Sequence, residues 1–280
     1  MIQVLETYKR SPLSLFLRIA VTFAMLVTLV TMLFLVGYVL VQGIPYVKPS
    51  LFSFHYTSEN VSFLPSIFTT IVIVFGAIVI AGPLGIFAAV YLVEYAHRGN
   101  KIVSLVRLTA ETLSGIPSIV FGLFGMLFFV TTLHFGYSIV SGILTISIMI
   151  LPLIMRTTEE ALKSVPDSYR EGSYGLGAGK LRTVRSVVLP AAIPGILAGI
   201  ILAIGRVVGE TAALIYTAGT VADFPKGIFS SGRTLAVHMF ELSHEGLHFG
   251  EAYATAVILM VLVLIINWIS NVIASRIEKL

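Results

Sequence analysis

Residues 171–214 read EGSYGLGAGKLRTVRSVVLPAAIPGILAGIILAIGRVVGETAAL. The first half is polar, basic and rich in glycine. The second half is an apolar run long enough to cross a bilayer, with Arg206 and Glu210 inside it. A polar elbow feeding a charged intramembrane helix implies a chain that takes a push on one side of a membrane and delivers it to a site within.

The composition agrees with that setting. Of 280 residues, 57% are hydrophobic and 11% charged, where soluble domains carry about 25% charged residues. Mean hydropathy is +0.98, which belongs to an integral membrane protein. The net charge of +4 is no nucleic-acid signal, because the basic residues fall in loops on one side of the spans. The lack of cysteine excludes disulfides, thiol chemistry and cysteine metal sites. Lys9, Arg10 and Arg18 flank an apolar run, Ile19–Val41, that is too long for a signal-peptide core and has no small-residue cleavage site after it. It is expected to remain as a first span.

Six stretches are long enough to cross a core of about 30 Å. They lie near Ser14–Val41, Ser66–Tyr95, Thr112–Leu133, Tyr137–Met155, Pro190–Ala218 and Ala252–Ala274. The expected fold is all-α, with six transmembrane helices. Residues 1–45 form the N-terminal segment and first span, and 66–274 the main membrane domain. The third and fourth spans should form a tight hairpin around His134–Gly136. Glycine and proline recur inside the spans, at Gly82-Pro83 with Gly85, Gly115 with Pro117, and Gly122 with Gly125. Backbone freed there must be covered by neighbouring helices, which small residues let approach closely.

Orientation follows from the basic residues. Lys9, Arg10, Arg18, Arg98, Lys101, Arg107, Arg156, Lys163, Arg170, Lys180, Arg182, Arg185, Arg276 and Lys279 fall on one side, and Lys48, Lys226 and Arg233 on the other, fourteen against three. Both termini and the loop within 156–189 are therefore expected in the cytoplasm of a cell-membrane protein, and the loop 219–250 outside.

The cytoplasmic loop has its own punctuation. Thr157–Ser164 continues the fourth span, and Val165-Pro166 breaks it. Asp167 or Ser168 can cap a new short helix over about Tyr169–Leu176, which Gly175, Gly177 and Gly179 end. Such a helix, tied to two spans, is a lever for a partner.

Arg206 and Glu210 stand four residues apart and would share one helix face. A charge near mid-membrane costs roughly 2.5–3.5 kcal/mol, so such residues face a bundle interior or a water-filled path. Gly195, Gly199 and Leu202 fall within about 40° of Arg206 at 100° per residue, and Gly209 and Ala213 lie on the same side. Arg206 is read as a transient partner for an anion, with Glu210 holding the arginine in place until the anion competes, because a planar guanidinium matches phosphate-like groups bidentately. The bland alternative is a salt bridge that only holds the bundle. An anion moving inward works against an inside-negative potential by about 2.3 kcal/mol per charge per 100 mV, which favours a motor-driven subunit over a channel.

Glu171, Gly172, Ser173, Gly177, Val187, Leu189 and Pro190 resemble the signature of ABC importer permeases: E-A-A, three residues, G, nine residues, I-x-L-P. The resemblance implies the type I importer permease fold and makes Glu171–Gly179 the coupling helix that docks on a nucleotide-binding subunit. Longer blocks are similar to the PstA branch, the A-type membrane subunits of phosphate importers: Pro83–Ala96, Glu111–Gly125, Ile150–Pro166 and Ala203–Leu214. Ala213 stands where that branch commonly has proline. The resemblance implies that Arg206 and Glu210 are functional residues of phosphate translocation. It also implies a homologous second permease (C-type), two copies of a cytoplasmic ATPase and an external phosphate-binding protein. ATP and magnesium would sit on the ATPase, for this chain has no G-x-x-x-x-G-K-[ST] motif. No cofactor or enzyme activity is expected of the chain itself. Molybdate or sulfate is the alternative cargo.

One motif competes. His244, Glu245 and His248 fit H-E-x-x-H, in which two histidines on one helix bind zinc and the glutamate activates water. A membrane metalloprotease is thus a second class, with His238, Glu241 and Glu251 near enough in sequence to supply a third ligand. Gly246 and Gly250 weaken a helix there, and the expected alternative for Thr234–Phe249 is an exposed amphipathic segment on the outer surface. Asn267 and Trp268 are expected to serve packing. Arg233 is expected to lie in a solvated loop with Asp223 and Lys226.

Overall fold

The computed structural model describes residues 12–97 and 99–277; residues 1–11, with Lys9 and Arg10, and Arg98 and Lys279 lie outside them. The described chain is a helical bundle. Its long helices are α1 (Pro12–Gly43), α2 (Leu64–Val90, prolonged by a π turn Tyr91–Tyr95), α5 (Ile139–Ser164), α8 (Leu189–Val208, entered through a π turn Val184–Val188) and α11 (Phe249–Ile277). Between them stand α3 (Lys101–Ser114), α4 (Ser118–Gly125, prolonged by a π segment Met126–Thr132), α6 (Asp167–Gly175), α7 (Lys180–Thr183), α9 (Ala212–Ile215) and α10 (Leu235–Glu245).

Among the described residues five helices are long and apolar enough to cross a membrane, and the bent pair α3–α4, taken as one span, makes a sixth. That pair corrects the third span expected from Thr112. Pro117 cannot donate to a helix and pushes Ile116 out of helical geometry, so the chain stops at Ser114 and restarts at Ser118 with a turn of 102°. Asn100 starts α3 by accepting the Ile102 N–H. The helix has only Val103 and Ala110 buried, and it shows Ile102, Leu105 and Leu108 on its outer side. Ser118–Thr132 is the more apolar limb of that bent pair. His134 and Gly136, at φ +56° and +64°, turn the chain back, and Ser138 caps α5 at the Ser141 N–H. The expected hairpin and the extension of the fourth span to Ser164 are both present.

Helix α5 is the centre. Its Ile146, Met149, Ile150 and Ile154 pack with Ile73, Ala77 and Ala81 of α2 and Ala203 and Val207 of α8. Small residues set the approach: Gly85 lies on Ile154, Gly195 on Ala161, and Gly199 on Thr157. A Cβ added at Gly199 would stand 2.7 Å from Thr157 Cβ and overlap its hydroxyl. Gly199→Val is expected to drive α5 and α8 apart, with a loss of about 1–3 kcal/mol for overpacking. Thermal unfolding reads this, and an unchanged midpoint would contradict it. Helix α1 is peripheral and meets the bundle through Gly43 against Tyr253 and Val257 of α11. Trp268, expected to pack, is exposed on α11.

At the end of the bundle away from the basic loops, Thr234–Phe249 is not wholly the exposed segment expected: residues 232–238 and Leu242 turn inward, while 243–247 stay exposed. Helix α10, capped by Thr234 at the Val237 N–H, buries Leu235, Val237, His238 and Leu242. Leu235 and Leu242 join Leu51, Val61 and Phe63 in a second core. The apolar residues between the polar ones decide this, because Leu235, Val237 and Leu242 lose more by facing water than the segment gains by lying flat.

His238, outside the candidate spans, is fully buried, and its Nε2 meets the Val61 carbonyl at 3.2 Å. Burial first, then the Arg233 charge, lowers its pKa to about 3. The folded pKa is depressed, so the unfolded chain takes the proton more readily. The stability is therefore complete above the ordinary value of about 6.5 and is lost as pH falls toward 3, on the order of 3 kcal/mol by pH 4. Melting curves from pH 7.5 to 4 should show that slope, and His238→Gln should flatten it; equal slopes in both proteins would contradict the assignment.

Candidate functional site

The elbow forms as a short helix followed by a closed turn. Helix α6 runs Asp167–Gly175, beginning two residues before the expected start, with Asp167 in its first turn. Its end explains the signature glycine. Gly177 sits at φ +82°, where a side chain would be strained. The Ala178 N–H donates to Ser173 O and the Gly177 N–H to Tyr174 O, which is the Schellman arrangement. Glu171 and Gly172 are exposed on α6. Ser173 is half-buried, its hydroxyl 2.9 Å from that of Thr183 on α7. Leu189 and Pro190 follow the π turn Val184–Val188 directly, where a proline inside a continuous helix removes one intrahelical bond. Tyr169 and Tyr174 are exposed, and Leu176 is 91% exposed.

Sequence reasoning missed what ties this elbow to the bundle. Arg170 donates through Nε (3.2 Å) and Nη2 (2.8 Å) to Glu94 Oε1, at the π-turn end of α2. The same guanidinium reaches the carbonyls of Val165 (2.7 Å) and Leu162 (2.9 Å) at the end of α5. Lys180 lies 5.2 Å from the Tyr95 ring centroid. Beside this latch, Glu159 of α5 accepts from Arg107 of α3 at 2.8 Å and Lys163 at 2.6 Å. Arg170 thus ties α6 to the ends of α2 and α5, and Ser173–Thr183 ties it to α7, at the entry of α8. The signal was present in the sequence as Glu94, an acid just inside the end of an apolar span, but its partner lies 76 residues away.

At the other pole, the structure separates Arg206 from Glu210. Helix α8 stops at Val208 instead of continuing to Ala218, because Glu210 turns its carboxylate to the Ala213 N–H (3.1 Å) and starts α9. The break is covered by protein, as backbone at membrane depth requires. Gly122 of α4 packs on Ala213, and Gly142 of α5 on Leu214 and Ala218. Glu210 is buried, and among the described residues no ion pair within 4 Å joins it to Arg206. The two do not share a helix face. Arg206 instead lines a groove of about 620 Å³ with Ala198, Ile201, Leu202 and Gly205 of α8 and Asn267 and Asn271 of α11. The structure thus brings two amides to the arginine. Their spacing of four residues on one apolar span was the available signal, and Asn267 alone did not reveal it. A guanidinium with no carboxylate and two neighbouring amides can bind a small anion by charge and by directed hydrogen bonds.

The zinc pattern loses its geometry. Helix α10 ends at Glu245, and Gly246 at φ +76° turns the chain off its axis. His248 then lies outside the helix, its Nδ1 3.8 Å from Glu251, so His244 and His248 do not form the pair that the metalloprotease motif needs. Among the described residues no three His, Cys, Asp or Glu side chains are placed to hold a metal ion.

Comparison with known proteins matches this arrangement to one family. A probable ABC transporter permease protein of Bacillus subtilis, YqgI, is 35% identical over 268 residues, 88% of this chain and 89% of its own. The phosphate transport system permease protein PstA 2 of Mycobacterium bovis is 36% identical over 217 residues, 74% of this chain and 71% of its own. PstA of Yersinia pestis is 35% identical over 204 residues, 71% and 68%. Among solved structures, a bacterial ABC transporter for import of the acidic polysaccharide alginate superposes with a TM-score of 0.69 at 13% identity, over 98% of this chain and 99% of that one. The methionine ABC transporter MetNI, in inward facing form, gives 0.59 at 22% over 76% and 93%. The fold is that of the type I ABC importer permeases. Residues 81–279 match the binding-protein-dependent transport system inner membrane component, and the chain belongs to that family.

Proposed function

We propose that the chain is one membrane subunit of an ATP-driven importer of inorganic phosphate in the cell membrane, with both termini cytoplasmic. The observation that carries this reading is the run of relatives named as phosphate transport permeases at 35–37% identity. A homologous second permease completes the pathway, two copies of a cytoplasmic ATPase hydrolyse ATP, and an external phosphate-binding protein delivers the anion.

The residues supply a mechanism. Glu171, Gly172 and Ser173 on α6, with exposed Tyr169, Tyr174 and Leu176, give the ATPase a face to grip, and Gly177 fixes its end. Movement of α6 passes through Arg170 to Glu94 and through Ser173 to α8. There Arg206 takes two phosphate oxygens on its planar fork, while Asn267 and Asn271 bond others. Glu210 holds the start of α9, so that α8 ends where the anion passes. Alternation between outward-open and inward-open states carries the anion across.

Labelled phosphate uptake by cells of the source organism with this gene deleted tests the cargo. High-affinity uptake should disappear and return with the gene, and arsenate should compete while sulfate and molybdate do not. Loss of sulfate or molybdate uptake instead would keep the architecture and replace the cargo.

A further inference from the structure

The bundle end opposite the coupling helix holds a second arginine that the mechanism above leaves unused. Arg233 precedes the cap of α10, and its backbone N–H donates to the Val221 carbonyl. It is only 5% exposed. Its guanidinium lies 4.8 Å from the Tyr56 ring centroid. No carboxylate of the described residues comes within 4 Å of it. Nε and Nη2 are both closed off and have no hydrogen-bond partner. Those two nitrogens form one edge of the planar fork, the edge that takes two oxygens of an oxyanion. The Tyr56 ring meets the face of the cation but leaves this edge without hydrogen bonds, which is unfavourable for a buried charge, so the free edge calls for an anion.

The neighbouring imidazole supplies the complement. His238 packs edge-on against the same Tyr56 ring at 6.3 Å. Its Nε2 faces the Val61 carbonyl, which only accepts, so the neutral ring carries its proton there. Nδ1 is then a bare acceptor, and it too is buried with no partner. The pair offers two donors and one acceptor. Sulfate and molybdate at neutral pH have no proton to give that acceptor. Phosphate and arsenate keep one.

We propose that Arg233, with His238 beside it, binds a protonated oxyanion of the hydrogen-phosphate type at the external end of the bundle, as a receiving site distinct from the groove at Arg206. Its place in transport rests on the phosphate-import reading; its chemistry does not.

The test uses the assembled transporter, solubilised without its external binding protein, and labelled inorganic phosphate. The Arg206→Ala complex should retain phosphate binding that arsenate displaces and sulfate does not. Adding Arg233→Lys, which keeps the charge and loses the fork, should weaken that binding at least tenfold. Adding His238→Leu instead should let sulfate compete. Absence of binding in Arg206→Ala, unchanged affinity with Arg233→Lys, or equal displacement by sulfate before His238 is altered would each overturn the proposal. Should the variants fail to assemble, the wild-type complex soaked in arsenate decides. An anomalous signal within hydrogen-bond distance of Nε and Nη2 supports the site, and water or nothing there overturns it. Phosphate bound at Arg233 in a complex that transports another anion would sink the proposed cargo and leave this site standing.

Discussion

Arg206→Ala is expected to abolish phosphate uptake while the chain inserts and assembles normally. Arg206 makes no ion pair with the described carboxylates and faces a groove, so its removal leaves no buried acid behind. What disappears is the fork. Two charge-assisted hydrogen bonds of about 1.5 kcal/mol each make a factor of roughly 100 or more. Arg206→Lys keeps the charge and should recover only part of the rate, because an ammonium cannot take two oxygens in one plane. Uptake by proteoliposomes, normalised to assembled complex, checks both variants. Normal uptake by the alanine variant would remove Arg206 from the pathway.

Arg170→Ala should damage both stability and coupling. Its side chain is 14% exposed and that of Glu94 5%, so the truncation strands a carboxylate in a buried place and frees two carbonyls of α5. Breaking a buried pair by removing one partner costs about 3–5 kcal/mol. A second variant separates stability from transmission. Replacing Arg170 and Glu94 together by leucine should recover much of the stability, since an apolar pair can substitute for a buried ion pair. It should not recover phosphate-stimulated ATP hydrolysis, because α6 would no longer be latched to the end of α2. A stable double variant with normal coupling would show that the pair only packs.

The fold was largely legible because hydropathy and basic residues are local signals. The six spans, the hairpin at His134–Gly136, the continuation of α5 to Ser164 and the short helix α6 all follow from runs, breakers and caps that the chain carries in order. Two boundaries failed for one reason: a uniform apolar run hides a break. Pro117 moved the third span, and the carboxylate of Glu210, which bonds Ala213, cut the fifth at Val208. The site was legible only in its residue types. Arg206 stood out as a charge in lipid, but its neighbours Asn267 and Asn271 lie on another helix, and Glu94 meets Arg170 across 76 residues. Separation in sequence also hid Arg233, which reads as a loop cation until Tyr56, from far earlier in the chain, packs against it and His238.

The central claim is that force applied at α6 moves phosphate past Arg206. Its most direct test is ATP hydrolysis and labelled-phosphate uptake measured in the same proteoliposomes, with the chain co-expressed with its genomic neighbours and zinc assayed on the same sample. ATP-driven uptake, hydrolysis stimulated by phosphate with its binding protein, and no stoichiometric zinc are the expected results. Bound zinc with peptide cleavage and no uptake would contradict it and return His244, Glu245 and His248 to the centre of the protein.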